Sequence, residues 1–143
     1  MSNEEIIAAL PYAKPFLFVD GISDVSENRI SGHYQFREDE SFYEGHFPGR
    51  PVTPGVILIE CMAQIALVSH GLHLLSRSGK PTPEMIAFSS ANVDFLLPVF
   101  PGQKVTVLGE LVYFRMGKIK SKATLFVDGR KACVGDLSGM LRS

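Results

Sequence analysis

The sequence predicts an α+β domain in which one long buried helix packs against an antiparallel sheet. Residues 54–77 form an apolar stretch long enough for about six helical turns, and its first half is apolar on every face. Four strand-like segments follow it, two of them joined by Asp128-Gly129, a strong hairpin signal. In a domain of 143 residues, only a sheet curling around such a helix supplies enough apolar cover.

The N-terminal part of the chain predicts a short helix and two strands. Ser2 and Glu5 have the spacing of a capping box, which indicates a helix beginning at the N-terminus. Residues 16–25 are rich in apolar and β-branched residues and predict a strand that continues to about Val25. Residues 29–36 place apolar residues or glycine at every second position, which predicts a second strand with one buried face.

The long helix has its own start and stop signals. Thr53 is a suitable N-cap, Pro54 suits the first helical position, Arg77 suits the last turn, and Gly79 ends the helix. The remaining strands are predicted over residues 85–95, 104–115, 119–127 and 131–141, with a weaker hairpin signal at Met116-Gly117-Lys118. The chain contains no repeat or linker, so residues 1–143 are expected to form one domain.

Composition excludes several classes of function. A hydrophobic content of 45%, a charged content of 20% and a net charge of −1 are those of a soluble globular protein and argue against nonspecific nucleic-acid binding. Cys61 and Cys133 are isolated in sequence, which predicts a reducing, cytoplasmic environment. Glu4 and Glu5 stand where a signal peptide would carry positive charge, and no membrane association is expected.

The loop before the long helix holds the strongest candidates for chemistry. His46 lies in a segment stiffened by prolines and glycines, and Glu60 lies within an almost wholly apolar helical stretch. An imidazole held beside a desolvated carboxyl predicts a general base and general acid pair. The structural alternatives are a loop histidine that caps a backbone group and a buried carboxylate paired with a neighbouring strand. His70 and His73 have helical spacing but no third ligand, so neither a metal nor a cofactor is expected.

Several motifs along the chain resemble those of a known enzyme family. These are Leu10-Pro11 with Pro15-Phe16-Leu17 and Val19-Asp20, then residues 45–56, then Glu60 with Met62-Ala63-Gln64, and finally Pro98-Val99 with Pro101-Gly102. In order and spacing they are similar to the FabZ type of β-hydroxyacyl-acyl-carrier-protein dehydratase, over nearly the whole chain. The resemblance implies the hotdog fold, an antiparallel sheet wrapped around one helix. Members usually carry His-Arg where this chain has Tyr12-Ala13.

The resemblance implies water elimination from a 3-hydroxyacyl thioester to give a trans-2-enoyl thioester, in fatty-acid or related acyl and polyene biosynthesis. His46 would be the base at C2, and Glu60 would act on the C3 hydroxyl, directly or through water. Free N–H groups at the start of the helix, especially that of Gly55, would meet the thioester oxygen. The residues expected to bind the substrate are Phe47, Pro54, Gly55, Val56 and Gln64. The alternatives are a hotdog thioesterase or enoyl hydratase acting on coenzyme A esters, and a non-catalytic acyl-binding module.

The implied partners are an acyl carrier protein, whose phosphopantetheine arm holds the acyl chain, and a second copy of the chain. Candidate docking residues for the carrier protein are Arg50, Arg115, Lys118, Lys120 and Lys122. The alternative is that these lysines form a solvated outer sheet face that discourages edge pairing. The resemblance also implies a homodimer, often in a trimer of dimers, in which His46 of one chain faces Glu60 of the other.

Overall fold

The computed structural model describes residues 1–142. Six antiparallel strands form one sheet in the order β1-β2-β4-β5-β6-β3, and the sheet wraps around one long helix. This confirms the predicted α+β class and the hotdog arrangement. The elements are α1 (Asn3–Ala9), β1 (Gly21–Val25), β2 (Arg29–Gln35), a 3-10 turn (Ser41–Glu44), α2 (Gly55–Arg77), β3 (Met85–Phe95), β4 (Lys104–Arg115), β5 (Lys118–Val127) and β6 (Arg130–Arg142).

Helix α2 is the centre of the core. Residues 61–73 are all buried, so the sheet covers this part of the helix on every side. The helix widens into a π-helical segment over Gln64–Ser69, and the Ser69 hydroxyl donates a 2.7 Å hydrogen bond to the Gln64 carbonyl within it. The helix is long and apolar enough to cross a membrane, but 72% of its most apolar 18-residue window is buried inside the protein. It is therefore the core helix of the domain.

The predicted local signals are confirmed at the N-terminus and at both hairpins. Ser2 and Glu5 form the reciprocal capping box at the start of α1. Asp128 and Gly129 both have positive φ, at 51° and 73°, as the two central residues of a type I′ turn require. Met116 and Gly117, at 54° and 76°, make the same kind of turn between β4 and β5.

Two predictions about where elements begin are wrong. The predicted strand over residues 16–25 begins only at Gly21, because the Phe18 N–H and the Phe16 carbonyl bond to the side chain of Gln64 instead of to a neighbouring strand. Thr53 is not the N-cap of α2: its hydroxyl hydrogen-bonds with that of Tyr43 at 2.6 Å. The helix begins at Gly55, and Pro54 is the capping residue.

Strand β3 lies at the end of the sheet and pairs only with β6 among residues 1–142. Its side chains are mostly exposed, including Phe88 and Phe95, and Leu96 directly after it is exposed as well. The first turn of α2 is also open, since Val56 is 72% exposed, so the prediction of a helix buried on every face is wrong at its start. An apolar surface of this kind beside an unpaired strand edge is typical of an interaction site.

Candidate active site

His46 is held by its own loop in a defined tautomer. Its ring is half-buried, and Nδ1 lies 2.8 Å from the carbonyl oxygen of Val52. A carbonyl oxygen can only accept, so Nδ1 carries the proton and Nε2 of the neutral ring has a free lone pair. One ring nitrogen therefore caps a backbone group, as in the structural alternative. The other ring nitrogen remains available as a base.

The neighbouring Phe47 has an unusual backbone conformation. Its φ is 57°, although a bulky residue rarely adopts the left-handed region, at a cost of about 1–3 kcal/mol. Its ring packs against that of His46 with centroids 4.4 Å apart, and the side chain is 61% exposed. Strain of this kind persists where surrounding structure imposes it, and here it fixes the two rings side by side at the surface.

The start of α2 offers two backbone donors. The N–H groups of Ile57 and Leu58 bond to the Pro54 carbonyl, which leaves those of Gly55 and Val56 at the helix N-terminus without a helical partner. Gly55 lines an open cleft of about 400 Å³ with the end of β3. A Cβ on Gly55 would lie 3.0 Å from the Phe95 ring, so this close approach favours glycine.

Glu60 is half-buried and is fixed by Gln64, one turn later on the helix. The Gln64 side-chain amide donates a 2.9 Å hydrogen bond to Glu60 Oε2. The same amide group donates to the Phe16 carbonyl at 2.9 Å, and its oxygen accepts the Phe18 N–H at 2.8 Å. Gln64 is therefore a buried polar residue with satisfied hydrogen bonds, and it also orients the carboxyl of Glu60.

Tyr12 lies close to Glu60, although in the sequence it is notable only as a departure from the family pattern. It lines, with Glu60, a cavity of about 70 Å³ whose other walls are apolar side chains and backbone of α2, β3 and β6. Burial, and to a lesser extent the charge of Glu60, raises the pKa of Tyr12 to about 12. The phenol is therefore protonated at neutral pH and can donate a hydrogen bond.

The two predicted catalytic residues lie in different places on one chain. Glu60 lines the cavity between α2 and β3, and His46 is not among the residues of that cavity. His46 lies instead beside Phe47, on the loop that leads to Gly55. Of the predicted substrate-binding residues, Phe47 and Val56 are exposed, Pro54 is buried, Gly55 lines the separate cleft, and Gln64 is fully buried beside Glu60.

The candidate docking residues have different surroundings. Lys122 lies between Glu110 of β4 and Asp136 of β6 in the strand register, so acids on both sides offset its charge. Arg115 packs over the ring of Tyr113 at 4.6 Å. Lys118 is exposed, Lys120 is half-buried, and Arg50 is exposed on the loop of His46.

His70, His73 and Cys61 are buried in α2, and their surroundings are those of structural residues. His70 is fully buried, and its Nε2 lies 2.8 Å from the Ser26 carbonyl. Burial lowers the pKa of His70 and that of His73. Cys61 is fully buried, and its thiol donates to the Phe18 carbonyl at 3.4 Å. Burial raises the pKa of Cys61, so the thiol stays protonated, as expected for a core residue.

The sheet wrapped around one long helix defines a hotdog domain. Comparison with known proteins shows the family to which this domain belongs. The FabA-like domain family matches residues 10–136. A chain of the dehydratase heterocomplex ApeI:P from Xenorhabdus doucetiae shares the fold, with a TM-score of 0.82 over 96% of this chain and 91% of that one, at 15% identity. The virulence protein Cj0977 from Campylobacter jejuni also shares the fold, with a TM-score of 0.70 over 98% and 89% of the two chains, at 13% identity.

Curated relatives are similar over nearly their whole length. The 3-hydroxyacyl-[acyl-carrier-protein] dehydratase FabZ of Acinetobacter baylyi is 33% identical over 96% of this chain and 92% of the relative. The protein of the same name from Geotalea uraniireducens is 35% identical over 96% and 94%. The chain belongs to the FabZ family of 3-hydroxyacyl-acyl-carrier-protein dehydratases, a family of lyases.

Proposed function

We propose that the protein removes water from 3-hydroxyacyl-acyl-carrier-protein thioesters to give trans-2-enoyl thioesters, with His46 and Glu60 as its catalytic residues. The observation that carries the proposal is the hydrogen bond from His46 Nδ1 to the Val52 carbonyl, because it leaves Nε2 as the proton acceptor. We place the reaction in fatty-acid or related acyl biosynthesis in the cytoplasm, as the names of the relatives and the isolated cysteines suggest.

In this proposal two protons move in opposite directions across the substrate. His46 Nε2 takes the C2 proton, the C2 electron pair forms the C2–C3 double bond, and the C3–O bond breaks. Glu60, in its protonated form, gives its proton to the departing hydroxyl, so that water leaves. Gln64 donates to Oε2 of Glu60, which leaves Oε1 to face the substrate. Solvent then returns the proton from His46 to Glu60.

The thioester oxygen gains negative charge while C2 is deprotonated. In the proposal this oxygen lies at the N-terminus of α2, where the Gly55 and Val56 N–H groups can donate to it. The helix dipole adds positive potential at the same position. The acyl chain would extend from there into the apolar cavity beside Glu60, whose walls include Leu67, Val68 and Ile86.

We further propose that a second copy completes the site. Within one chain His46 does not line the Glu60 cavity, while the outer edge of strand β3 is unpaired among residues 1–142 and Phe88 and Phe95 are exposed on it. Pairing of two β3 edges would cover these apolar residues and the exposed Val56. An isologous dimer of this kind would bring His46 of one copy toward Glu60 of the other, twice per dimer, and could assemble further into a trimer of dimers.

In this proposal the carrier protein is acidic and docks on positively charged side chains of this chain. Arg50 is the strongest candidate, because it is exposed and lies four residues from His46 on the same loop. Arg115, Lys118 and Lys120 form a second group at the β4–β5 hairpin. Lys122 contributes little, since Glu110 and Asp136 flank it.

The activity is tested by running the reaction backwards. Hydration of a crotonyl thioester removes the absorbance of the conjugated double bond, and His46→Ala and Glu60→Gln should each lower kcat by at least about a hundredfold. Glu44→Gln is the matched control, because Glu44 is exposed near the same loop and belongs to neither proposed role. Thiol release in place of hydration would assign a thioesterase, and unchanged rates in folded His46→Ala would exclude catalysis by His46.

A further inference from the structure

A third cavity, larger than the Gly55 cleft and the Glu60 cavity, lies at the far end of α2 from Gly55. It has a volume of about 650 Å³ and lies between the end of α2 with its following loop, the β4–β5 hairpin, and the end of β6. This volume is within the range of small-molecule sites, about 300–1,000 Å³. None of the residues that line it is His46, Glu60 or Gly55.

Part of the wall of this cavity is apolar. It is formed by side chains from three separate elements, Leu74, Leu75, Leu111, Phe114 and Leu141. Leu141 is buried, while the other four remain half-buried. The fold therefore leaves apolar surface uncovered in a concave site, where a ligand with an apolar body could displace water from it.

The rim of the cavity is strongly positive. Arg77, Lys80, Arg115 and Arg142 line it, against one acid, Glu27. Among residues 1–142 none of these four cations forms an ion pair. Four cations beside the apolar part of the wall favour a ligand that combines an anionic group with an apolar chain.

The C-terminus of α2 points its negative dipole toward the same region, which opposes anion binding. The carbonyls of Leu74, Leu75 and Ser76 are already bonded to the N–H groups of residues 78–80. Because these carbonyls have partners, the charged rim, including Arg77, dominates the potential in the cavity.

We propose that this cavity binds an amphipathic anion, an apolar chain that ends in a carboxylate or a phosphate. A free fatty acid and an alkyl phosphate share this chemistry. Such a ligand differs from the substrate and product of the proposed reaction, whose acyl group is a thioester. In this proposal the cavity is a regulatory site, separate from the one that performs dehydration.

Leu141 connects this regulatory site to the active site. Among residues 1–142 it is the one residue that lines both the large cavity and the Glu60 cavity. It packs closely against α2, since a Cβ on Gly71 would lie 2.8 Å from Leu141 Cδ2, and its N–H donates to the Gly117 carbonyl at 2.8 Å. A ligand that shifts Leu141 would therefore change the shape of the Glu60 cavity, and with it the KM for the acyl thioester.

Binding is tested by calorimetric titration of the intact protein with dodecanoate, dodecyl phosphate and dodecanol, each below its micelle-forming concentration. We expect both anions to bind saturably and dodecanol to bind at least about tenfold more weakly, because it lacks the charge. The double variant Arg77→Gln/Lys80→Gln should weaken dodecanoate binding by about tenfold. Lys131→Gln is the matched control, since Lys131 is exposed on β6 outside the cavity, and it should bind like the wild type.

The titration does not depend on dehydratase activity, so its failure is distinct from a failure of the proposed reaction. Equal affinity for dodecanol and dodecanoate, or undiminished dodecanoate binding in a folded Arg77→Gln/Lys80→Gln variant, would overturn the site. Loss of dodecanoate binding in Glu60→Gln alone would place the ligand in the Glu60 cavity and would also overturn the proposed site. A KM for the crotonyl thioester that stays constant at saturating dodecanoate would overturn the coupling through Leu141.

Discussion

Replacing Gln64 tests the link between the core of the domain and the orientation of Glu60. Gln64→Met keeps the volume of this fully buried side chain and removes its three side-chain hydrogen bonds. The buried Phe18 N–H would lose its partner at a cost of about 1–3 kcal/mol, and the partly buried Phe16 carbonyl would add about 1 kcal/mol. We therefore expect the free energy of unfolding to fall by about 2–4 kcal/mol.

Urea denaturation at one fixed protein concentration measures this loss. With a slope of about 2 kcal/mol per molar urea, the midpoint should fall by about 1–2 M. Loss of the bond to Glu60 should also lower kcat for crotonyl-thioester hydration by about tenfold or more, with a smaller effect on KM.

Gln35→Met is the matched control for this prediction. Gln35 is exposed and its side chain makes one 3.1 Å hydrogen bond, to the Gly102 carbonyl. Its replacement should change the unfolding free energy by less than about 1 kcal/mol and leave kcat unchanged. If the unfolding free energy of Gln64→Met lies within about 0.5 kcal/mol of the wild-type value, the stabilising role given to the Gln64 hydrogen bonds is wrong.

Three further predictions concern other residues. Tyr12→Phe should lower kcat by up to about tenfold while the protein stays folded, because the phenol is a donor in the Glu60 cavity; an unchanged kcat would remove Tyr12 from the site. Burial lowers the pKa of His70, so the stability it contributes is complete above the unfolded value of about 6.5 and is lost as pH falls below it. Melting temperatures between pH 5 and 7.5 should show this loss, and His70→Gln should reduce it. Arg50→Glu should raise the KM for an acyl-carrier-protein substrate severalfold, whereas Lys122→Glu should not, as steady-state rates would show.

The long-range architecture was predictable because its signals are local and strong. The apolar stretch of α2 could only be buried within a sheet, and the Asp128-Gly129 dipeptide has few conformations other than a tight turn. The strands after the helix begin and end within one residue of their predicted bounds for the same reason. These features depend on neighbours in sequence, which the chain alone reveals.

Other features depend on contacts between residues far apart in sequence. The segment Phe16–Val19 has the composition of a strand, but Gln64 takes its backbone hydrogen bonds. Thr53 has the side chain of an N-cap, but Tyr43 takes its hydroxyl. In both cases a side chain from another element competes with the local preference and prevails.

The candidate site was predictable in its residues and less so in its arrangement. Glu60 and Gln64 lie four residues apart on one helix, a spacing that lets their side chains meet, and they do. Tyr12 could have been recognised as a site residue because it replaces the residue usual in the family, but nothing in the sequence locates it beside Glu60. That His46 lies outside the cavity of its own Glu60 follows only from the tertiary structure.

In the proposed dimer His46 of one copy acts with Glu60 of the other, and mixing two inactive variants is the decisive test of this shared site. His46→Ala and Glu60→Gln are combined in equal amounts under conditions that allow subunit exchange, and crotonyl-thioester hydration is measured. Half of the dimers would then contain both variants, with one intact site of two in each, so about a quarter of wild-type activity should return. A mixture that exchanges subunits and stays as inactive as each parent would contradict the shared site.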